Sequence, residues 1–295
     1  MEPLKRIHHI SATVGDPNEN LKFYRDILKL KLVKKTVNFE DENTYHLYFS
    51  NQNVDDGTIM TFFPREDDLY GKVGGGQVRT IGFSIPKQSF KYWIEQLNLH
   101  QVKFSEELFN NKRSLVFKDP HNLSIVLVET EIEATDNNIL GFYGVELLST
   151  KPSETVQFLI HKMGLLLNEI TGEFYHLEMV GKEKHQIIVN KATHEKGRLG
   201  IGTVHHIAWS VPDADHLVKW KENLEKERKL LEIQNRKYFL STYMRDPGSI
   251  IYELATEGPG FLVDETLEQL GQKLMLPEKY EPERDDIEAS LPKLY

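Results

Sequence analysis

The feature that most constrains this chain is an internal repeat. The string "IHHISATVGDP" begins at Ile7, and "VHHIAWSVPDA" begins at Val204. Each combines a histidine pair, a strand-like run, and a proline with an aspartate that can start a helix. Two further strings, "RTIGFSIPKQS" from Arg79 and "GFYGVELLSTKPS" from Gly141, follow the same course. Because self-similarity of this kind marks one recurring structural unit, we predict four copies of it.

Each copy is predicted to be a β-α-β-β-β module of about 60 residues. The helical part shows apolar residues three and four positions apart, as in Phe90, Trp93 and Leu97. The second and fourth copies end in an Asp-Pro turn and a strand-like run, "KDPHNLSIVLVE" and "RDPGSIIYELA". The glycine-rich segments "YGKVGGGQV" and "HEKGRLGIG" precede strands, so we interpret them as connectors rather than phosphate-binding loops.

Composition narrows the classes of partner. Lys and Arg total 36 against 45 Asp and Glu, and the resulting charge of −9 argues against nucleic acid. The absence of cysteine excludes disulfides, thiolate nucleophiles and cysteine-ligated metals. No apolar segment is long enough for a membrane span, and the N-terminus lacks a signal-peptide core, so we expect no membrane association and a cytoplasmic location.

The repeated histidine pairs offer metal ligands. Successive side chains of a strand face opposite sides, so His8 and His9 cannot both face one cavity. His206 matches His9, because each is followed by isoleucine. The last strand of the fourth module carries Glu253, a lone acid among apolar residues that would be costly to bury without a metal or a partner. The choice of His9 over His8 and of His206 over His205 rests on strand register and on the family resemblance given below, and a one-residue slip in register would exchange each ligand histidine for its neighbour.

The corresponding positions of the other modules carry no ligand. We align Gly82 and Gly144 with the histidines, and Phe62 and Val126 with Glu253. Two histidines and one carboxylate form the facial ligand set of non-haem iron(II) oxygenases, which leaves positions for substrate and dioxygen. Since the three ligands come from modules 1 and 4, we expect these modules to pair and the metal site to lie between them.

Several strings occur in a characteristic order: "IHHI", "TYHLYF", "GTIMTFFP", "GTVHHIAW", "YMRDPGSIIYELAT" and "GFLVDETLEQLG". With the repeat, they resemble the vicinal oxygen chelate superfamily, which includes glyoxalase I, fosfomycin-resistance proteins and extradiol dioxygenases. More narrowly, they are similar to its four-module, hydroquinone-cleaving dioxygenases, over essentially the whole chain. The resemblance implies an α+β fold in which four β-α-β-β-β modules form two curved-sheet half-barrel clefts.

On this basis we expect three segments. Residues 1–135 would form an N-terminal domain with modules 1 and 2. Residues 136–257 would form a C-terminal domain with modules 3 and 4. Residues 258–295 would be an extension packed on the outside of the body.

The resemblance also implies roles for residues around the metal. It points to catalytic roles for His8, His205, Arg236 and Tyr243, and to substrate binding by Arg236, Tyr243 and His46. Tyr243 precedes Glu253 by ten residues, so it should lie on the neighbouring strand of a hairpin. His46 is echoed by His176 in "FYHLEM", which favours a structural role shared by modules 1 and 3. His121 lies in an Asp-Pro turn, and we expect it to be exposed to solvent.

The implied function is iron(II)-dependent ring cleavage of a hydroquinone-type or catechol-type diol, with a small aromatic substrate and dioxygen as partners. Assembly as a homo-oligomer is compatible with the sequence. Two alternatives stay open. One is a glyoxalase-like isomerase or thiol transferase that uses manganese, nickel or zinc. The other is a non-catalytic protein that binds an aromatic compound.

Overall fold

The computed structural model describes residues 1–295, and each of the four modules has the predicted order of one strand, one helix and three strands. The strands of modules 1 and 2 are β1 (Ile7–Val14), β2 (Lys31–Asn38), β3 (Asp41–Ser50), β4 (Ile59–Pro64), β5 (Gln77–Ile85), β6 (Phe104–Phe109), β7 (Lys112–Lys118) and β8 (Ser124–Glu129). Those of modules 3 and 4 are β9 (Gly141–Leu148), β10 (Leu166–Ile170), β11 (Phe174–Glu178), β12 (Gln186–Asn190), β13 (Thr203–Val211), β14 (Gln234–Asn235), β15 (Phe239–Arg245) and β16 (Ile251–Pro259).

One helix follows the first strand of each module, and a fifth lies near the C-terminus. They are α1 (Pro17–Leu21, continued by a π-helical turn at Lys22–Ile27), α2 (Phe90–Leu99), α3 (Pro152–His161), α4 (Ala214–Leu224) and α5 (Arg284–Ser290). Asp16 caps α1 by accepting hydrogen bonds from the backbone N–H groups of Asn18 and Glu19, at 2.7 and 2.9 Å. None of the five is both long enough and apolar enough to cross a membrane.

The strands form two curved eight-stranded sheets, and this confirms the predicted α+β fold. The first sheet has the order β14-β15-β16-β13-β1-β4-β3-β2, so it joins module 4 to module 1. The second has the order β10-β11-β12-β9-β5-β8-β7-β6, so it joins module 3 to module 2. Each sheet therefore takes one module from each half of the sequence, and the expected boundary at residue 135 falls between the two modules of the second sheet.

Strand β1 shows how the sequence divides the two faces of the first sheet. Ile10 and Ala12 are fully buried in the main apolar core. His9 and Thr13, at alternate positions, line a cavity on the opposite face. Because side chains alternate along a strand, this pattern of apolar and polar residues places the polar ones inside the cleft of the half-barrel.

The glycine-rich connectors lie against each other. The backbone N–H of Gly75, in residues 70–78, donates to the Glu195 carbonyl oxygen in residues 194–202, at 2.7 Å. A Cβ atom on Gly75 would lie 2.4 Å from the His194 carbonyl oxygen. Only glycine therefore allows the two connectors to approach so closely, which supports their interpretation as structural segments.

The C-terminal extension does more than cover the outside of the body. Leu276 and Ile287 are buried in the main core. The fully buried ammonium group of Lys34, on β2, contacts the carboxylates of Asp264, at 2.7 Å, and of Glu265. Because a buried lysine is costly without a partner, these acids fix the start of the extension to the first sheet.

Candidate metal centre

Three ligand atoms meet inside the first half-barrel. His9 Nε2 and His206 Nε2 lie 3.0 and 2.8 Å from Glu253 Oε2, and 3.1 Å from each other. Their side chains are 3, 4 and 0% exposed. Module 1 supplies His9 and module 4 supplies the other two, so the cluster exists only where β1 and β13 pair.

The carboxylate of Glu253 is buried without an ordinary partner. Neither of its oxygens accepts a hydrogen bond. Burial alone would raise the pKa of Glu253, but His9 and His206 outweigh burial and hold that pKa well below its usual value. Burial lowers the pKa of His206, which favours its neutral form. A metal binds the carboxylate ionised and the imidazoles neutral, so the charge of the metal would replace that of protonated imidazole beside Glu253.

A chain of hydrogen bonds fixes which nitrogen of His9 carries the proton. His8 Nε2 lies 3.0 Å from the Thr256 carbonyl oxygen, which can only accept, so this nitrogen is the donor. Burial lowers the pKa of His8 to about 3, so the ring is neutral and its Nδ1 is an acceptor. His9 Nδ1 lies 2.8 Å from that acceptor and must donate to it. In a neutral His9 ring, the remaining nitrogen, Nε2, would direct a lone pair toward Glu253.

The same arrangement recurs in module 4. His205 Nδ1 and His206 Nδ1 are 2.9 Å apart. Burial lowers the pKa of His205 to about 3, so this ring is neutral as well. If His206 Nε2 is to bind a metal, its Nδ1–H donates to His205, and His205 Nε2 then carries a hydrogen. Since His205 lines the cavity, that N–H is available there as a donor.

These residues fit a divalent metal. Two lone pairs and one carboxylate oxygen would converge with no proton between them, which is unfavourable without a cation. Two histidines and one carboxylate suit iron(II) and leave coordination positions for other ligands. The cluster could therefore hold a metal.

The metal centre lies at a cavity of about 450 Å³. Residues from both modules line it, including His9, Thr13, Asn38, Phe39, Glu40, His46, Tyr48, Phe63, Arg65, His205, His206, Gln234, Arg236, Phe239 and Tyr243. The volume is sufficient for a small aromatic molecule.

Tyr243 and Arg236 lie together on one wall. Tyr243 pairs directly with Glu253 across β15 and β16, and its ring centroid is 5.4 Å from that of His206. Burial and the Glu253 charge raise the pKa of Tyr243 well above its usual value, so the phenol keeps its proton. The Arg236 guanidinium lies 5.7 Å from the Tyr243 ring centroid and 3.4 Å from the Glu40 carboxylate.

His46 faces the cavity, but both of its ring nitrogens already have partners. Nε2 lies 2.9 Å from the Thr61 hydroxyl, and Nδ1 lies 2.9 Å from the Tyr48 hydroxyl. Its ring packs 4.1 Å from the ring of Phe63, measured between centroids. His46 can therefore offer a substrate its ring surface, while its hydrogen bonds hold β3 and β4 in place.

Nine of the cavity residues named above escape the sequence argument, and two of them, Phe239 and Tyr48, contact predicted site residues. Phe239 packs against His8 and His9, with ring centroids 5.1 and 5.3 Å apart. Tyr48 holds His46. Each lies at an even spacing from a predicted site residue on the same strand, Phe239 four residues before Tyr243, so counting strand alternation outward from these residues could have found them.

Three expectations are wrong. Gly82 is not the module 2 counterpart of His206: it lies opposite Val126 as Ala208 lies opposite Glu253, so Thr80 takes the place of the histidine. His121 is only 2% exposed, because the turn that carries it packs against Gly15 of module 1. Phe62 is not the module 1 counterpart of Glu253: its ring packs 4.3 Å from that of Tyr24 in the core. Its neighbour Thr61 faces the cleft instead.

Comparisons with known proteins agree with this architecture. The Glyoxalase/Bleomycin resistance protein/Dioxygenase superfamily profile matches residues 6–127. "Putative ring-cleaving dioxygenase MhqO" of Bacillus subtilis (strain 168) is 39% identical over 97% of this chain and 95% of its own length. "Chlorohydroquinone/hydroquinone 1,2-dioxygenase" of Sphingobium indicum is 28% identical over 97% of this chain and 95% of its own. The chain therefore belongs to this superfamily, in the family of the MhqO relative.

A solved structure supports the same assignment. The crystal structure of a "putative dioxygenase" from Bacillus subtilis subsp. subtilis str. 168 superposes with a TM-score of 0.96 at 37% identity. The match covers 100% of this chain and 99% of the other. The two chains thus share all four modules and the C-terminal extension.

Proposed function

We propose that the protein is an iron(II)-dependent dioxygenase that cleaves the ring of hydroquinone-type diols. The preformed cluster of His9, His206 and Glu253 at the cavity carries this proposal. Bound iron(II) would supply open positions for a substrate oxygen and dioxygen, and a route for electrons between them. The relative from Sphingobium indicum, named for hydroquinone cleavage, supports a para-diol substrate.

The chain's own residues bind and orient the diol in this proposal. The Tyr243 phenol, protonated and adjacent to His206, would donate a hydrogen bond to a hydroxyl oxygen of the diol. The Arg236 guanidinium would stabilise negative charge on a phenolate form of the diol. His205 Nε2–H is a further donor toward the ring substituents. A para-diol can place only one oxygen at the metal, so the second hydroxyl needs a protein partner of this kind.

His8 acts on the metal ligand rather than on substrate. It accepts the Nδ1–H of His9 and is itself held by the Thr256 carbonyl. This fixes both the orientation and the tautomer of the ligand.

The test is oxygen uptake by protein reconstituted anaerobically with iron(II), with methylhydroquinone and catechol offered in parallel. Uptake with methylhydroquinone, absent from Glu253→Ala, supports the proposal. Uptake with catechol alone supports the proposed metal centre but contradicts the proposed hydroquinone-type substrate. No uptake with either, despite bound iron, contradicts ring cleavage and favours an isomerase that works without dioxygen on another metal.

A further inference from the structure

A second cavity, of about 590 Å³, adjoins the metal cavity. The two share three lining residues, His205, Leu231 and Tyr243. We call the second cavity the basic chamber, because Arg228 and Lys229 line one side of it and Arg245 lines another. A ligand at the metal therefore lies next to this chamber, separated from it only by the shared residues.

The cations of the basic chamber are unpaired. No carboxylate lies within ion-pair distance of Arg228, Lys229 or Arg245. Arg245 donates to the Ser249 carbonyl oxygen at 2.6 Å, and Arg228 Nε is buried without an acceptor. Three cations against two carboxylates leave an excess of one positive charge around this cavity, in a chain with a net charge of −9, and this excess would attract an anion.

The acids of the chamber are engaged elsewhere. Glu227 contacts the ammonium group of Lys162, outside the cavity. Asp246 accepts hydrogen bonds from the Thr155 hydroxyl, at 2.6 Å, and from the backbone N–H of Ile250, at 2.7 Å. Neither carboxylate therefore neutralises the three cations by direct contact.

We propose that the basic chamber binds a carboxylate of a ligand whose aromatic or ring-opened part occupies the metal cavity. This inference rests on the proposed ring cleavage. Arginine and lysine donate charge-assisted hydrogen bonds to carboxylates. Leu231, an exposed apolar residue, lines both cavities.

Two sources could supply this carboxylate. One is a quinol that carries a carboxylate substituent. The other is the product of a neutral quinol: when the bond between a hydroxylated ring carbon and an unsubstituted neighbour breaks and both atoms of dioxygen are inserted, these carbons become a carboxylic acid and an aldehyde. The acid then loses its proton to solvent at neutral pH.

The experiment compares the double variant Arg228→Gln/Lys229→Gln with Lys226→Gln, which removes a charge from the same segment outside the chamber. We expect the ratio of kcat/KM for 2,5-dihydroxyphenylacetate to that for methylhydroquinone to fall about tenfold in the double variant. Lys226→Gln should leave the ratio unchanged. For the product, we expect inhibition by the ring-opened acid from methylhydroquinone to weaken in the double variant.

Calorimetry provides a second measurement that needs no turnover. Metal-free wild-type protein should bind 2,5-dihydroxyphenylacetate with an affinity that falls as salt rises, and the double variant should bind it about tenfold more weakly. Unchanged selectivity, product inhibition and binding would overturn the inference. If wild type shows no oxygen uptake with either quinol, the proposed function fails, and calorimetry still tests the chamber.

Discussion

The two sheets have the same order of corresponding strands, and each is built from two modules, yet only the first holds a candidate metal centre. In the first sheet one row of paired residues crosses β16, β13 and β1 and includes Glu253 and His9. The corresponding row of the second sheet crosses β8, β5 and β9 and has Val126 and Gly144 there. The same scaffold thus carries a ligand set or none, depending on a few side chains that face the cleft.

The second cleft is also closed by a side chain. The side-chain oxygen Oδ1 of Asn110, in the turn between β6 and β7, lies 2.7 Å from His176 Nδ1. The amide nitrogen of Asn110 donates to the Tyr143 hydroxyl, at 2.8 Å, and to the side-chain oxygen Oε1 of Gln186, at 3.2 Å. In the first sheet the corresponding turns, between β2 and β3 and between β14 and β15, are joined by the contact of Glu40 with Arg236 at 3.4 Å. Closure and loss of ligands therefore occur together in one half.

The largest expected effect is the loss of iron binding when the first cleft is deprived of a ligand histidine, as the second cleft is. His9→Ala should abolish stoichiometric iron binding, because it removes one of three ligands. His8→Ala should keep iron but bind it about 10–100-fold more weakly, because it removes only the partner that orients His9. Elemental analysis and titration against a chelator measure both. Iron retained by His9→Ala but lost from His8→Ala would show that the two histidines have the opposite roles.

The two Asp-Pro turns should behave alike. Burial raises the pKa of Asp119, in the second sheet, and of Asp246, in the first, to about 6. The folded protein thus holds these protons more tightly than the unfolded chain, so their contribution to stability is complete below about pH 4 and is lost as pH rises through 6. The free energy of unfolding of the wild type should therefore fall between pH 4 and 7. Asp119→Asn and Asp246→Asn should each make this fall smaller by about 3 kcal/mol.

Denaturant titrations across this pH range measure the effect. Flattening in one variant only would show that the two turns, and so the two sheets, differ in a way that their hydrogen bonds do not explain.

Opening the second cleft should cost stability without affecting metal. Asn110→Gly removes the bridging amide while tolerating the positive φ of 51° at this position. Because His176 and Tyr143 lose a partner, we expect a loss of about 2 kcal/mol in the free energy of unfolding and unchanged iron content. Asn111→Gly is the matched control, since it has a φ of 59° and an exposed side chain. Equal losses in both variants would assign the effect to the turn backbone.

The smallest effect concerns the open mouth of the first cleft. Glu40→Gln removes the carboxylate that faces Arg236, and an exposed pair of this kind stabilises the fold by less than about 1 kcal/mol. We expect KM for methylhydroquinone to rise roughly twofold to threefold, because Arg236 loses an orienting partner. Steady-state oxygen uptake measures this change, with Glu42→Gln as the control. A change in kcat alone would indicate that Arg236 acts in the chemical step instead.

The sequence was sufficient for the modules and the ligand cluster because both depend on local regularities. Repeated strand and helix starts mark the modules. The alternation of side chains along β1 allows only one of His8 and His9 to face the cleft, and strand register together with the family resemblance selected His9. The proline-aspartate signals also place the helix starts, as at Asp16. These features need no knowledge of which segments meet in space.

The remaining features depend on contacts between distant modules. The burial of His121 follows from the approach of Gly15, which belongs to another module. The closure of the second cleft by Asn110 follows from the curvature of a whole sheet. The ion pairs of Lys34 with Asp264 and Glu265 join residues more than two hundred positions apart. No periodicity in the sequence indicates such pairs.

The order of modules in the two sheets has a consequence for biosynthesis. All strands of the second sheet come from residues 77–190, so this sheet can form while the ribosome is still translating the fourth module. Module 1 is made first, but the edge of β1 stays without its partner until residues 203–259 emerge. The half with the candidate metal centre is thus the last to be assembled, and we expect nascent chains that stall before this point to expose an aggregation-prone strand.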